Sequence, residues 1–172
     1  MSKTTASTSV AAADKSKPYF PLAGSNNDGW SKEDSASASC FCGAVQLGFP
    51  TQGPGLVNTF VCNCTDCRKI TASMFASNFT VRDTHLTHIR GEVETFSQNH
   101  TIASGETMTN YFCPNCGTLI CIVVRIGTVD DFSLHETKLL PRVEQFTKDR
   151  VSWFTGVEGA EKFEATGFKA RM

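Results

Sequence analysis

From residue 44 onward the chain alternates short runs rich in Val, Ile, Phe and Thr with clusters of Gly, Pro and polar residues. Ala44–Phe49, Val57–Cys62, Met74–Phe79, His88–Phe96, Met108–Phe112 and Thr118–Ile126 are each strand-sized and bounded by turn formers. The pattern predicts a mainly all-β, compact fold of antiparallel strands. Gly53, Pro54 and Gly55 mark one break, and 97–106 is a polar connection. Only Thr65–Ser73 and Pro141–Lys148 carry helical character, and Arg150–Phe154 is followed by Gly156, Gly159 and a charged tail. No internal repeat and no second domain boundary interrupts the pattern.

Residues 1–38 read differently, with Ser, Thr, Ala, Lys and Asp dominant and too little apolar surface to offset the entropy of ordering. They predict a flexible segment ahead of one domain over 39–170. Within that segment Pro18, Tyr19, Phe20, Pro21 and Leu22, with Trp30, form a small apolar island that could dock on the domain or on another subunit, so a homo-oligomer is compatible with it. The start MSKTTASTSVAAADK has neither an apolar secretory core nor the arginines of a transit peptide, which predicts a cytoplasmic protein.

A chain of 172 residues can bury a core without covalent staples, so its 8 cysteines need another explanation. With 16 basic against 17 acidic residues and a net charge of −1, there is no field to attract a phosphate backbone or an anionic lipid surface. Nucleic acid and membrane are therefore not expected as partners. The longest apolar run, Leu119–Ile126, is interrupted by Arg125 and is too short to span a bilayer. Sequons at Asn63, Asn78 and Asn99 read as chance matches, the first because it lies between two cysteines.

The cysteines fall into Cys40-Phe41-Cys42-Gly43, Cys62-Asn63-Cys64-Thr65-Asp66-Cys67, Cys113-Pro114-Asn115-Cys116-Gly117 and a single Cys121. Cysteines one residue apart on an extended segment project to the same side, and a C-x-x-C turn curls around one ion. Pro114 presets that turn and Gly117 permits the positive φ that often follows the second ligand. A closed structural zinc takes four ligands, and Cys40 and Cys42 are the natural partners of Cys113 and Cys116. Such a site ties chain segments about seventy residues apart against loop-closure entropy.

Cys62, Cys64 and Cys67 then remain as three thiolates with no evident fourth. Three protein ligands and one open position is the general form of a catalytic zinc. Arg68 and Lys69 follow at once and suit the negative charge of three thiolates on a dication. The rival is a second structural site completed by Cys121 or a histidine, although Cys121 within an apolar run reads as a buried core residue. A disulfide framework conflicts with the lack of a secretory signal, and no βαβ pattern supports a thioredoxin-like motif at Cys113. His85, His88, His100 and His135 show no ligand spacing; His85 and His88 would point to opposite faces of a strand. Asp66 reads as a helix cap, and Phe75 and Phe79 as candidates to line a pocket.

The order C-x-C-G, C-x-C-x-x-C-R, C-x-x-C-G resembles the glutathione-dependent formaldehyde-activating enzyme family, whose wider membership includes centromere protein V. The resemblance covers roughly Ala38 to Phe168. It implies a fold of several coiled sheets around zinc, with Cys40, Cys42, Cys113 and Cys116 on a structural ion and Cys62, Cys64 and Cys67 on a catalytic one. Arg68 matches the basic residue after the third cysteine, and Pro141, Phe146, Arg150 and Trp153 look like the family's closing segment. Asn63 and Glu144 depart from the family, standing at or near positions where members carry His.

The resemblance implies two Zn2+ per chain and a carbon–sulfur lyase-type activity on a thiol adduct such as S-hydroxymethylglutathione or a larger glutathione conjugate. Glutathione is then the co-substrate, and Arg68 or Lys69 would meet one of its carboxylates. Two alternatives stay open: a zinc enzyme for a glutathione-independent carbonyl or isomerisation step, and a non-catalytic zinc module that binds a partner. The absence of a long basic tail counts against a chromatin role.

Overall fold

The computed structural model describes residues 13–21, 29–102, 105–120 and 123–168. The fold is mainly β, with strands β1 (Ser35–Ser39), β2 (Gln46–Pro50), β3 (Leu56–Cys62), β4 (Ala76–Val81), β5 (Thr87–Arg90), β6 (Glu94–Gln98), β7 (Met108–Phe112), β8 (Val123–Arg125), β9 (Val143–Gln145) and β10 (Glu161–Lys162). One α-helix, α1 (Thr65–Thr71), and several 3-10 turns connect them. The strands form three sheets, ordered β1-β2-β5, β10-β9-β3-β4-β8 and β6-β7. Pairing is antiparallel except where β9 lies parallel to β3 and to β10. No helix among the described residues is long and apolar enough to cross a membrane.

The main core lies between the first two sheets. Phe79, Val81 and Val124 from β4 and β8 pack against Ala36, Ala38 and Phe49 from β1 and β2, closed by Val129 and Leu139. The Phe49 and Phe79 rings meet at 4.6 Å. A second cluster gathers Cys40, Val45, Leu47, Cys113 and Ile120.

Side chains alternate across a strand, so the register decides what shares a face. Cys62 stands opposite Ala76, Phe60 opposite Asn78, and Asn78 opposite Arg125. With Phe79 and Val124 on the core side, Cys62, Ala76, Asn78 and Arg125 occupy the other face.

Several expectations change. The segment expected to be flexible through residue 38 contains β1, where Ala36, Ser37 and Ala38 are buried on both faces of the sheet. Small side chains allow that double burial, and the Ser37 and Ser39 hydroxyls donate to buried Asp130 Oδ2 at 2.6 and 2.9 Å. The apolar island also docks, since Tyr19 sets its ring edge against Phe132 and donates its N–H to Asp131; Leu22 lies outside the described residues.

The run expected over His88–Phe96 breaks at Gly91, which has φ +85°; a Cβ there would lie 2.2 Å from the Ala44 carbonyl oxygen. Among the described residues of Thr118–Ile126, Val123–Arg125 joins a sheet and Leu119 bridges singly to Phe112. Met74–Phe79 is realised two residues later as β4. Pro141–Lys148 is not helical: β9 docks on β3, followed by a 3-10 turn at Thr147–Asp149. His85 sits in the 3-10 turn Asp83–His85 rather than on a strand with His88.

Phe79 is fully buried and fills the core instead of lining a pocket. Phe79→Ala is expected to cost about 3–5 kcal/mol of stability. The measurement is a lowered urea midpoint of the metal-loaded protein with an unchanged slope.

Candidate metal centre

The Sγ atoms of Cys40, Cys42, Cys113 and Cys116 all lie within 4.8 Å of one another. Cys40 follows β1 directly, and the turn back into β2 is closed by Gly43 N–H donating to the Cys40 carbonyl at 2.9 Å. Gly43 takes φ +75° to make that turn. After β7, Gly117 N–H donates to the Cys113 carbonyl at 2.8 Å, which curls the C-x-x-C segment. The two turns are joined by Phe41 N–H donating to Thr118 Oγ1 at 3.1 Å.

Sulfur separations are 3.5 Å for Cys40 and Cys42 and 3.8 Å for Cys42 and Cys113. A tetrahedral zinc with ~2.3 Å bonds to sulfur sets ligand sulfurs about 3.8 Å apart, so the donor set fits that ion. Burial pushes the Cys40 thiol up to about 12, so the metal-free cluster resists ionisation at this cysteine.

The second cluster brings Cys62, Cys64 and Cys67 within 4.8 Å of one another. Cys62 ends β3, Cys64 caps α1, and Cys67 lies in the first turn of α1. The cap is the Cys64 sulfur accepting from Cys67 N–H at 3.4 Å. Asp66, expected to cap, instead accepts from the Thr101 hydroxyl at 2.5 Å and ties the β6–β7 connection to α1. Among the described residues no fourth His, Cys, Asp or Glu donor joins the three sulfurs. Cys121, expected in the core, lies outside the described residues.

Asn63, between two of these cysteines, is fully buried. Its backbone N–H donates to the Gln145 carbonyl at 3.1 Å, and its Nδ2 donates to Glu144 Oε1 and to the same carbonyl, each at 3.1 Å. Glu144 is fully buried too, holding Arg150 Nη1 at 3.0 Å and accepting from Val157 N–H at 3.3 Å. Gly156 must lack a side chain here, because a Cβ would fall 2.4 Å from both Glu144 Oε2 and Arg150 Nη1. Sequence reasoning marked Asn63 and Glu144 as separate departures and did not pair them. Their contact comes from the parallel docking of β9 on β3.

The three thiols do not share charge evenly. Hydrogen bonds from Cys62 and Cys67 pull Cys64 down to about 2, while hydrogen bonding to Cys64 pushes Cys62 strongly up. Cys67 rises to about 11: its bond with Cys62 pulls down, but the bond with Cys64, burial and the Cys64 charge outweigh that and the opposing pull of Arg125. Without a metal the three sulfurs therefore favour uneven protonation, with Cys64 the one that ionises most readily. A metal dication would displace the remaining protons, so protons compete with metal as pH falls.

Arg68 is engaged by the Asp149 turn and by Met74. Its Nη1 donates to the Asp149 carbonyl at 3.2 Å and its Nη2 lies 3.6 Å from Met74 Sδ. Together with Lys69, Ala72 and Met74 it lines an open hollow of about 610 Å³. On the other side of α1 a hollow of about 410 Å³ is bounded by Ile70, Thr71, Phe75, Ala76, Leu119 and Arg125. Phe75 stacks on Phe154 at 4.4 Å and 14°, beside exposed Trp153.

Metal analysis of the wild-type chain is expected to find two zinc ions, and Cys67→Ser to retain one with the fold intact. Cys40→Ser is expected to unfold or aggregate, because its cluster joins distant segments. Asn63→Ala is expected to cost about 1–3 kcal/mol by leaving Glu144 short of a donor. It should lower occupancy at the three-cysteine site and leave the four-cysteine site loaded, as read by elemental analysis of dialysed protein.

Comparison with curated proteins finds no match. Comparison with protein families finds one over residues 35–149, described as glutathione-dependent formaldehyde-activating enzyme. The match runs from the first residue of β1 to the 3-10 turn after β9, and takes in both cysteine clusters. The chain belongs to the glutathione-dependent formaldehyde-activating enzyme family.

Proposed function

We propose that the protein is a zinc-dependent carbon–sulfur lyase-type enzyme acting on a thiol adduct, S-hydroxymethylglutathione or a larger glutathione conjugate, at Cys62, Cys64 and Cys67. The reading is carried by three sulfur atoms converging at the end of β3 and the start of α1 with no fourth protein donor among the described residues. An ion held by three side chains keeps a position for a reactant, whereas the four-cysteine cluster has none to spare.

Zinc bound at such a site supplies either a metal-held thiolate nucleophile at neutral pH or a Lewis acid for an aldehyde oxygen, and an electron-rich thiolate shell favours the first. The protein's own part is to hold the three sulfurs rigidly. Asn63 fixes the segment between Cys62 and Cys64 against β9, and Glu144 with Arg150 fixes Asn63. Arg68 ties α1, and with it Cys67, to the turn at Asp149. Phe75, stacked on Phe154, adds an apolar surface to the hollow beside α1.

The zinc-loaded protein is expected to accelerate exchange between formaldehyde with glutathione and S-hydroxymethylglutathione, followed by NMR of the hydroxymethyl resonance. Cys67→Ser should abolish the acceleration while the protein stays folded. Full activity of that variant on every thiol adduct tried would sink the assignment.

A further inference from the structure

Two hollows flank α1, and neither is lined by a cysteine itself. Cys67, Ile70 and Thr71 stand at helical positions i, i+3 and i+4, so they share a face. Ile70 and Thr71 border the hollow that also contains Arg125. Arg68 and Lys69 border the other, where Arg68 is already engaged with Asp149 and Met74.

The sheet register leads to the same place. Asn78, the neighbour of Arg125 across the ladder, is two residues from Ala76, the neighbour of Cys62. These side chains share one face, and alanine at 76 leaves room between the cysteine and the arginine.

Arg125 is held but not satisfied. Its Nη1 donates to Oδ1 of fully buried Asn78, which fixes the guanidinium plane. Its Nε is buried with no hydrogen-bond partner, and none of the ion pairs found among the described residues involves Arg125. Ile70, Phe75 and Leu119 give the hollow an apolar part, and Thr71, Ser77 and Thr118 add hydroxyls to its lining. A fixed guanidinium with donors to spare in a hollow of mixed apolar and hydroxyl lining suits a carboxylate, which it binds with charge-assisted hydrogen bonds.

We propose that Arg125 and the hollow beside it form the subsite for a carboxylate on the thiol substrate, so that the enzyme selects anionic thiols over neutral ones. The inference rests on the three-cysteine cluster being the reacting site.

The test titrates the cobalt-substituted full chain with 3-mercaptopropionate and with 2-mercaptoethanol, following the thiolate-to-metal absorption. The wild type is expected to bind the carboxylate-bearing thiol about tenfold or more tightly. The gap should narrow as salt screens the pair. Arg125→Met should erase the preference with both metals retained, and Arg125→Lys should keep part of it.

Equal affinities in the wild type, or a preference that survives in Arg125→Met, overturn the subsite and leave the catalytic reading standing. Loss of the second metal in Arg125→Met also overturns it, assigning Arg125 to balancing the cluster's charge. If neither thiol perturbs the spectrum, the catalytic reading falls and the subsite with it. Should Arg125→Met fail to fold, the wild-type ratio and its salt dependence decide the question.

Discussion

Cys42 and Cys113 bring their sulfur atoms to 3.8 Å across 71 residues of chain, and the contact joins two elements that no sheet joins. Cys40 and Cys42 follow the outer strand of the β1-β2-β5 sheet, whereas Cys113 and Cys116 follow β7 in a separate two-stranded sheet. A two-stranded ribbon is marginal alone, and here it is anchored at the sulfur cluster and by the small core of Val45, Leu47 and Ile120. Closing so long a loop is entropically unfavourable, and a metal bound only by the folded chain offsets that cost. The same knuckle also borders the hollow beside α1, through Gly117, Thr118 and Leu119.

The second cluster is supported by another kind of interaction. Asn63, Glu144 and Arg150 form a buried polar chain in which a carboxylate without solvent access is matched by an amide, a guanidinium and a backbone N–H. Breaking such a chain at one member leaves a buried charge short of partners, so it constrains position more sharply than an apolar contact would. That is appropriate where sulfur atoms must stay within bonding reach of one ion. In this chain Asn63 and Glu144 act as one unit.

Local features of this molecule were legible in the residues. The division of seven cysteines into a four and a three follows from spacings of one and two residues, which a strand or a turn converts directly into convergent sulfurs. The short helix at Thr65 and most central strands follow from equally local patterns. What escaped depends on partners distant in sequence. β1 is a Ser and Ala segment whose hydropathy says nothing, and it becomes a buried strand because only small side chains fit between its neighbours. Val143–Gln145 looks helical until β3 offers it a parallel edge and Asn63 offers Glu144 a donor. Arg125 reads as an interruption in an apolar run; its neighbour Asn78, two residues from the Ala76 that faces Cys62, emerges only from strand register. Asp66 was the orthodox cap, and the Cys64 sulfur took that place because it already sits at the helix start.

The distance between Asn63 and its partners also imposes an order on synthesis. The four-cysteine cluster has all its ligands once Cys116 has emerged, but the segment between Cys62 and Cys64 lacks its support until Glu144 and Gln145, 81 and 82 residues beyond Asn63, have followed. Glu144 in turn awaits Arg150 and Val157. On a ribosome, where chain appears from its N-terminal end, the four-cysteine cluster can therefore be completed while the three-cysteine segment still lacks its support. The nascent chain passes through a stage in which three neighbouring thiols are present without their scaffold, open to the wrong ion or to oxidation, and the C-terminal third ends that exposure.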